Sequence, residues 1–231
     1  MLASEEAGEG RHRASMRRLR EIDWDFPSQP SESAFSSLHW HPCRFPSQIP
    51  AIAVARLTSP GDTVLDPFMG SGTTLVEAQR LGRRSTGIAR EVMQSRPSCH
   101  FALVITSPPY FGVTDYVKAQ RLSLEWMSNP IEPVRLLEVG ARSKRHRRNA
   151  GESYLQEIRG AFVEVYRLLK SGGFAVVIFG QSPKRADLYE CFRDAIGSIG
   201  FSIEIEKLRQ IPATRRLVPS VSNEMVILLR K

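Results

Sequence analysis

Apolar positions along this chain switch between helical and strand periods, and the switches mark out its elements. Leu155, Ile158, Phe162, Val165 and Leu169 recur at helical spacing and predict a long helix over Ser153–Leu169. Gly172 and Gly173 end it. Phe174–Phe179 follows as an unbroken apolar run, the pattern of a strand buried on both faces. Ala186–Ile199 reads as a second helix, closed by Gly200. Phe201–Leu208 then alternates Phe and Ile with Ser and Glu, as a half-buried strand does, and Met225–Leu229 is a last apolar strand.

The first half is punctuated more tightly. A short helix is predicted from Pro50 to Leu57, and Gly61-Asp62 turns the chain into a strand, Thr63–Leu65. A helix opens at Thr73 or Thr74 and runs to Leu81, with Gly82 stopping it in a left-handed conformation. Thr86–Ile88 and Phe101–Ile105 are two more strands. Residues 21–50, rich in Pro, Ser and aromatics, are expected to be mostly irregular. There is no internal repeat. Strand–helix alternation predicts an α/β sheet with a mainly parallel core.

Composition narrows the classes. The chain has 231 residues with 42% hydrophobic content, enough for one domain with a sizeable core. No apolar run approaches the ~20 residues of a membrane span. Acidic and basic residues are mixed at the start, which speaks against a secretory or transit signal. Residues 1–22 are read as a mobile basic arm, and 23–231 as the domain. Cys43, Cys99 and Cys191 lie far apart, so neither a zinc site nor a disulfide framework is expected, and a reducing cytoplasm is the expected compartment. His39, His41 and His100 lack metal-ligand spacing. The net charge of +8 favours a polyanionic partner.

Two strings carry the chemistry. The first is DPFMGSGTT at 66–74, between a strand and a helix. Gly70 and Gly72 let the backbone approach a ligand, and the helix start offers free N–H groups to a carboxylate or phosphate. Asp66, at the strand's carboxyl end, can accept from an ammonium group. A lone Gly-x-Gly also serves as a plain tight turn, but Asp-Pro-Phe before it and Thr-Thr after it favour ligand binding. A dinucleotide loop is disfavoured because position 75 is Leu where Gly-x-Gly-x-x-Gly needs its third glycine.

The second string is TSPPY at 106–110. Pro108 and Pro109 fix the backbone and remove two donors. The carbonyls of Ser107 and Pro108, with the Ser107 hydroxyl, can then accept from an exocyclic amino group. Such acceptors draw a conjugated nitrogen toward tetrahedral geometry and free its lone pair. Tyr110 can stack on a base that has left its duplex. The alternative is a Pro-Pro loop with a packed tyrosine. A third feature is basic: Arg142, Lys144, Arg145, Arg147 and Arg148, inside an insert at about 130–150, can contact phosphates or form a solvated loop. The stretch from Asp115 to Trp126 has helical spacing and aromatic content.

These motifs resemble those of the amino-methylating DNA methyltransferases, which make N4-methylcytosine or N6-methyladenine. The resemblance covers roughly residues 23–231. HWHPCRFPSQIP at 39–50 is similar to the family's segment before the cofactor loop, and LKSGGFAVVIFG and NEMVILLRK to its later strands. It implies S-adenosyl-L-methionine held by Phe45, Asp66, Pro67, Phe68, Gly70, Ser71, Gly72 and Thr73. It implies catalysis by Ser107, Pro108, Pro109 and Tyr110, and double-stranded DNA as substrate. Ser before Pro-Pro favours N4 of cytosine. The implied fold is a Rossmann-like methyltransferase sheet, mainly parallel with an antiparallel terminal strand, here expected to lack its third strand.

Two departures temper the resemblance. Ala89 and Arg90 stand where the family places a ribose-binding acid, with Glu91 a doubtful substitute. Only about a dozen residues separate Ile88 from Phe101, too few for the usual crossover of roughly ten to twelve residues plus a further strand. The family's target-recognition region is also expected to be missing. Weak cofactor binding is therefore anticipated. A DNA-binding derivative with weakened catalysis, or a methyltransferase acting on RNA or a protein amide, remain the alternatives.

Overall fold

The computed structural model describes residues 16–26, 45–87, 100–119, 121, 125, 128, 130–180, 187–211 and 221–231. Helix α1 (Gln48–Leu57) leads into β1 (Thr63–Asp66), α2 (Thr73–Arg80) and β2 (Arg84–Gly87). Strand β3 (Phe101–Thr106) follows. An insert carries the short helices α3 (Tyr116–Ala119) and α4 (Ile131–Leu137) and a 3-10 turn at Arg142–Lys144. The chain closes with α5 (Ala150–Leu168), β4 (Leu169–Gly180), α6 (Asp187–Ile199), β5 (Ser202–Gln210) and β6 (Asn223–Arg230).

The six strands form one sheet in the order β2-β1-β3-β4-β6-β5. Strands β2, β1, β3 and β4 are mutually parallel, and β6 runs antiparallel between β4 and β5. This is the expected mainly parallel sheet with its reversed terminal strand. Strand β1 pairs directly with both β2 and β3, so β2 is the outermost described strand and no third strand follows it among the described residues. The segment 88–99, with Ala89, Arg90, Glu91 and Cys99, lies outside them. So do residues 27–44, including His39, His41 and Cys43.

Alternation along each strand builds two cores. Leu65, Val104, Ala175, Val177, Phe179, Ile227 and Leu229 face α5 and α6. Val64, Leu103, Ile105, Val176, Ile178, Val226 and Leu228 face α1 and α2. The apolar run in β4 is thus divided between both faces, as its composition predicts. On α5 the buried set is Tyr154, Ile158, Ala161, Phe162, Val165 and Leu168, with Leu155 partly covered. On α6, Leu188, Phe192 and Ile196 repeat every four residues. Phe192 stacks on Phe179 at 4.5 Å between ring centroids. Burying one such ring stabilises the fold by about 1.5–3 kcal/mol.

Residues 16–22, read from sequence as part of a mobile arm, are placed against the sheet. Residues 16–20 are helical, and Met16 and Leu19, three apart on one face, are 7% and 1% exposed against the α1 side of the sheet. Trp24 is buried in the same cluster. Polar anchors fix the segment: Arg209 donates to the Trp24 carbonyl at 3.1 Å, and the Gln210 N–H to the Asp25 carboxylate at 2.6 Å. Residues 1–15 lie outside the described residues. Among those described, no helix is long and apolar enough to cross a membrane, and no group of three or more His, Cys, Asp or Glu is placed to hold a metal.

Candidate active site

Strands β1 and β3 are adjacent and parallel, with Leu65 opposite Val104. Their carboxyl ends therefore deliver DPFMGSGTT and TSPPY to one edge of the sheet, the edge at which open α/β sheets bind ligands. Between them sits Asp66. It is 3% exposed, and its oxygens accept from the Thr74 hydroxyl at 2.8 Å, the Thr106 hydroxyl at 3.1 Å and the Phe68 N–H at 3.2 Å. Burial raises its pKa to about 6 despite these hydrogen bonds. Its carboxylate ties the loop to α2 and β3.

The glycine loop itself stays open. Gly72 precedes α2 with φ +78°, which a side chain resists, and open space surrounds the position a Cβ would take. The first N–H groups of α2 have no helical acceptor. Ser71 and Thr73 pair hydroxyl to hydroxyl at 3.2 Å, while Gly70 is exposed and Pro67 buried. Phe68 packs on the α5–α6 side and Phe45 on the α1 side. Met69 lies over Gly87 at the end of β2, its sulfur filling the space that a Cβ there would need.

The TSPPY turn is held from several directions. The Tyr154 hydroxyl donates to the Pro109 carbonyl at 2.8 Å, and the Tyr110 N–H donates to the Tyr116 hydroxyl at 3.2 Å. No donor among the described residues reaches the carbonyls of Ser107 or Pro108. Tyr110 does not stand free to serve a base alone. Its ring lies on Gly180, in the space a Cβ would occupy, and its hydroxyl donates to Glu224 at 2.5 Å. Burial first, then the Glu224 charge, push the Tyr110 pKa well up. The packed-tyrosine alternative thus describes part of its role.

The insert borders this wall. The Gly112 N–H donates to Gly140 at 2.9 Å, the Arg142 N–H to Thr114 at 3.2 Å, and the Ser143 N–H to Asp115 at 2.8 Å. Glu138 accepts from the Tyr116 N–H and, at 3.3 Å, from the Val117 N–H, capping α3. Arg142, Arg145, Arg147 and Arg148 are exposed beside the turn. Lys144 is not among the free cations: its ammonium donates to the carbonyls of Leu136 at 3.0 Å and Glu138 at 2.8 Å, at the end of α4. Of the stretch Asp115–Trp126, Tyr116–Ala119 is helical, and Arg121 and Glu125 form an ion pair at 2.7 Å.

Sequence reading missed Glu224, Arg209 and Gly180. The signal was faint: a charged residue at the far end of one strand and at the start of the next. The antiparallel register sets Arg209 opposite Glu224, so the two charges are a cross-strand pair.

Residues 6–94 match the family described as DNA methylase, of the N6 and N4 type. Over that span the chain is similar to the amino-methylating DNA methyltransferases. The match includes the glycine loop and ends before the Ser-Pro-Pro turn. The Type II methyltransferase M.ScaI from Streptomyces caespitosus is 44% identical over 68 residues, 28% of this chain and 22% of that protein. Type II methyltransferase M2.DpnII from Streptococcus pneumoniae is 49% identical over 51 residues, 22% of this chain and 19% of that protein. The chain thus spans about a fifth of the length of the curated relatives it matches. A SAM-dependent methyltransferase structure from Methanosarcina mazei aligns with TM-score 0.48 at 12% identity, covering 77% of this chain and 96% of that one.

Proposed function

We propose that this chain transfers a methyl group from S-adenosyl-L-methionine to the exocyclic amino group of a DNA base flipped from its duplex, with N4 of cytosine favoured. One observation carries the reading: a glycine loop with an open cradle and a rigid Ser-Pro-Pro turn, whose Ser107 and Pro108 carbonyls meet no donor among the described residues, end neighbouring parallel strands. The residues present fit the cofactor. Gly72 leaves space for close approach, and the first turn of α2 offers N–H donors to a carboxylate. Asp66 acts behind the loop, as a strut.

When bound, the cofactor supplies an electrophilic methyl on a sulfonium. The chain's own groups prepare the nucleophile. The carbonyls of Ser107 and Pro108 and the Ser107 hydroxyl accept the amino protons, and localise the nitrogen lone pair. Pro108 and Pro109 keep those acceptors from relaxing. Tyr110 offers a ring to the base, and Arg142, Arg145, Arg147 and Arg148 hold phosphates beside the wall.

Incubating the purified chain with labelled S-adenosylmethionine and mixed-sequence DNA, then analysing nucleosides by mass, tests this. The expected product is N4-methylcytosine. N6-methyladenine would redirect the base preference, and label in RNA or protein instead would overturn the DNA assignment. A second reading is a DNA-binding derivative with weakened catalysis, favoured by the short segment 88–100 between β2 and β3. DNA binding without methyl transfer would support it.

A further inference from the structure

Glu224 divides its carboxylate between two partners. One oxygen accepts from the Tyr110 hydroxyl at 2.5 Å, and the other from the Arg209 guanidinium. Arg209 is 2% exposed, and its Nε donates to the Trp24 carbonyl at 3.1 Å. The Tyr110 oxygen lies 3.5 Å from the Ser107 hydroxyl, which donates to it across that longer gap. Four side chains thus form one line from the buried sheet edge to the Ser-Pro-Pro turn.

The chemistry of the groups fixes the direction of every link. A guanidinium can only donate, so the facing carboxylate accepts. An ionised carboxylate can only accept, so Tyr110 must donate its proton to Glu224. The Tyr110 oxygen then keeps lone pairs alone, and the Ser107 proton turns toward it. The Ser107 lone pairs are left facing outward, where an incoming amino group needs acceptors. We propose that Arg209 and Glu224 are positioning residues that act through Tyr110 to present Ser107 as a hydrogen-bond acceptor for the amino group of the target base. The proposal rests on the base-pocket reading of the turn given above. It deepens that reading by assigning the buried pair a part in choosing amino-bearing over carbonyl-bearing bases.

Glu224→Gln is nearly isosteric, and it reverses the line. The amide oxygen turns to Arg209, and the amide nitrogen then donates to Tyr110, whose proton must go elsewhere. Tyr110→Phe keeps the ring on Gly180 and removes the link to Ser107. The measurement is binding of fluorescently labelled single-stranded oligothymidylate carrying one central cytosine or uracil, and likewise one adenine or hypoxanthine. Within each pair the phosphates are the same, and an amino group is exchanged for a carbonyl.

The unsubstituted chain is expected to favour one amino-bearing probe about tenfold, the scale of one hydrogen bond in a dry site. Either substitution should cut that preference to about twofold, and the double variant should lose no more than either single. Affinity of the Glu224→Gln variant for all-thymine oligonucleotide should not change. A purely structural role would lower the unfolding midpoint and leave the preference intact, which would overturn the proposal. Additive losses would overturn it too. If the unsubstituted chain shows no preference for either amino-bearing probe, the base-pocket reading itself fails, and the proposal with it.

Discussion

The glycine loop and the Ser-Pro-Pro wall end neighbouring strands but recruit their supports over different distances. Asp66, the strut of the loop, bonds Thr74 only eight residues ahead, and Thr106 forty residues ahead on the adjacent strand. Tyr110, at the end of the wall, bonds Glu224 across 114 residues of chain. Tyr154 and Tyr116 brace the same turn from α5 and the insert. The loop is therefore a nearly local device, and the wall is assembled by the sheet. Damage to the wall should spread to the fold, whereas damage to the loop should stay where it is made.

The largest expected effect comes from Tyr110→Ala. It removes a ring packed on Gly180 and strands the Glu224–Arg209 pair without its third member. Loss of a large packed aromatic costs about 3–4 kcal/mol, and denaturant unfolding should register it. Ser107→Ala, one link away on a half-buried residue, should stay under about 1 kcal/mol. Equal losses would erase the contrast between the wall's surface and its anchor. The contacts thus reverse the weighting of the string TSPPY, in which stacking on a base comes first and the packed tyrosine is the alternative.

That reversal shows what the sequence could and could not convey. Strand and helix identity was legible because alternation in β4 and the four-residue repeat in α6 are set by neighbours in the chain. Both chemical strings were legible for the same reason: Gly72 must adopt a left-handed backbone, and Pro108-Pro109 must be rigid, whatever surrounds them. Partners were not. Nothing local couples Glu224 to Tyr110, since their meeting depends on β6 inserting beside β4. Asp66 is a nearer case: its place at a strand end suggests a ligand-facing group, and its bonds to Thr74 and Thr106 are further partners that the string does not announce. Met16 and Leu19 were hidden by the charges around them, although three-residue spacing gave them a common face.

Asp66 gives the next effect, one that should isolate the loop. Its pKa is about 6 in the fold, against 3.8 for the unperturbed group. The folded state thus binds the proton more tightly, so its stabilising contribution is complete below pH ~4 and is lost as pH rises through about 6. Two pH units correspond to about 3 kcal/mol. Asp66→Asn cannot titrate. Relative to that variant, the parent chain should therefore lose about 3 kcal/mol between pH 4 and 7, measured by urea midpoints at each pH. A parallel pH profile in both proteins would mean that Asp66 is better solvated than its contacts imply.

Gly180→Ala sharpens the contrast from the other side. The added methyl meets the Tyr110 ring head-on, and the ring is held at its far end by Glu224. The ring must yield or β4 must shift, a strain of about 1–3 kcal/mol. Combined with Tyr110→Ala, the same substitution should cost much less, because the obstruction is gone. Additive costs in the double variant would show that Gly180 serves the strand and not the ring.

The smallest effect on the fold, and the largest on a charged partner, belongs to the basic segment beside the wall. Arg145, Arg147 and Arg148 are exposed, and no acidic side chain pairs with them among the described residues. Arg145 bonds its neighbour His146 at 2.9 Å, and its stem passes 3.3 Å from the Cβ position of Gly112. Changing all three to Gln should therefore move stability by no more than about 0.5 kcal/mol. DNA affinity should fall, and the slope of log affinity against log salt should shrink by about 0.9 for each phosphate of the duplex that an arginine no longer neutralises. Lys144→Gln should behave in the opposite manner. Its ammonium is committed to the carbonyls of Leu136 and Glu138, so the salt slope should hardly change while stability drops by about 1 kcal/mol. Fluorescence anisotropy across a salt series, with unfolding curves on the same proteins, separates the two behaviours. An unchanged slope in the triple variant would make the segment a solvated loop that happens to border the wall.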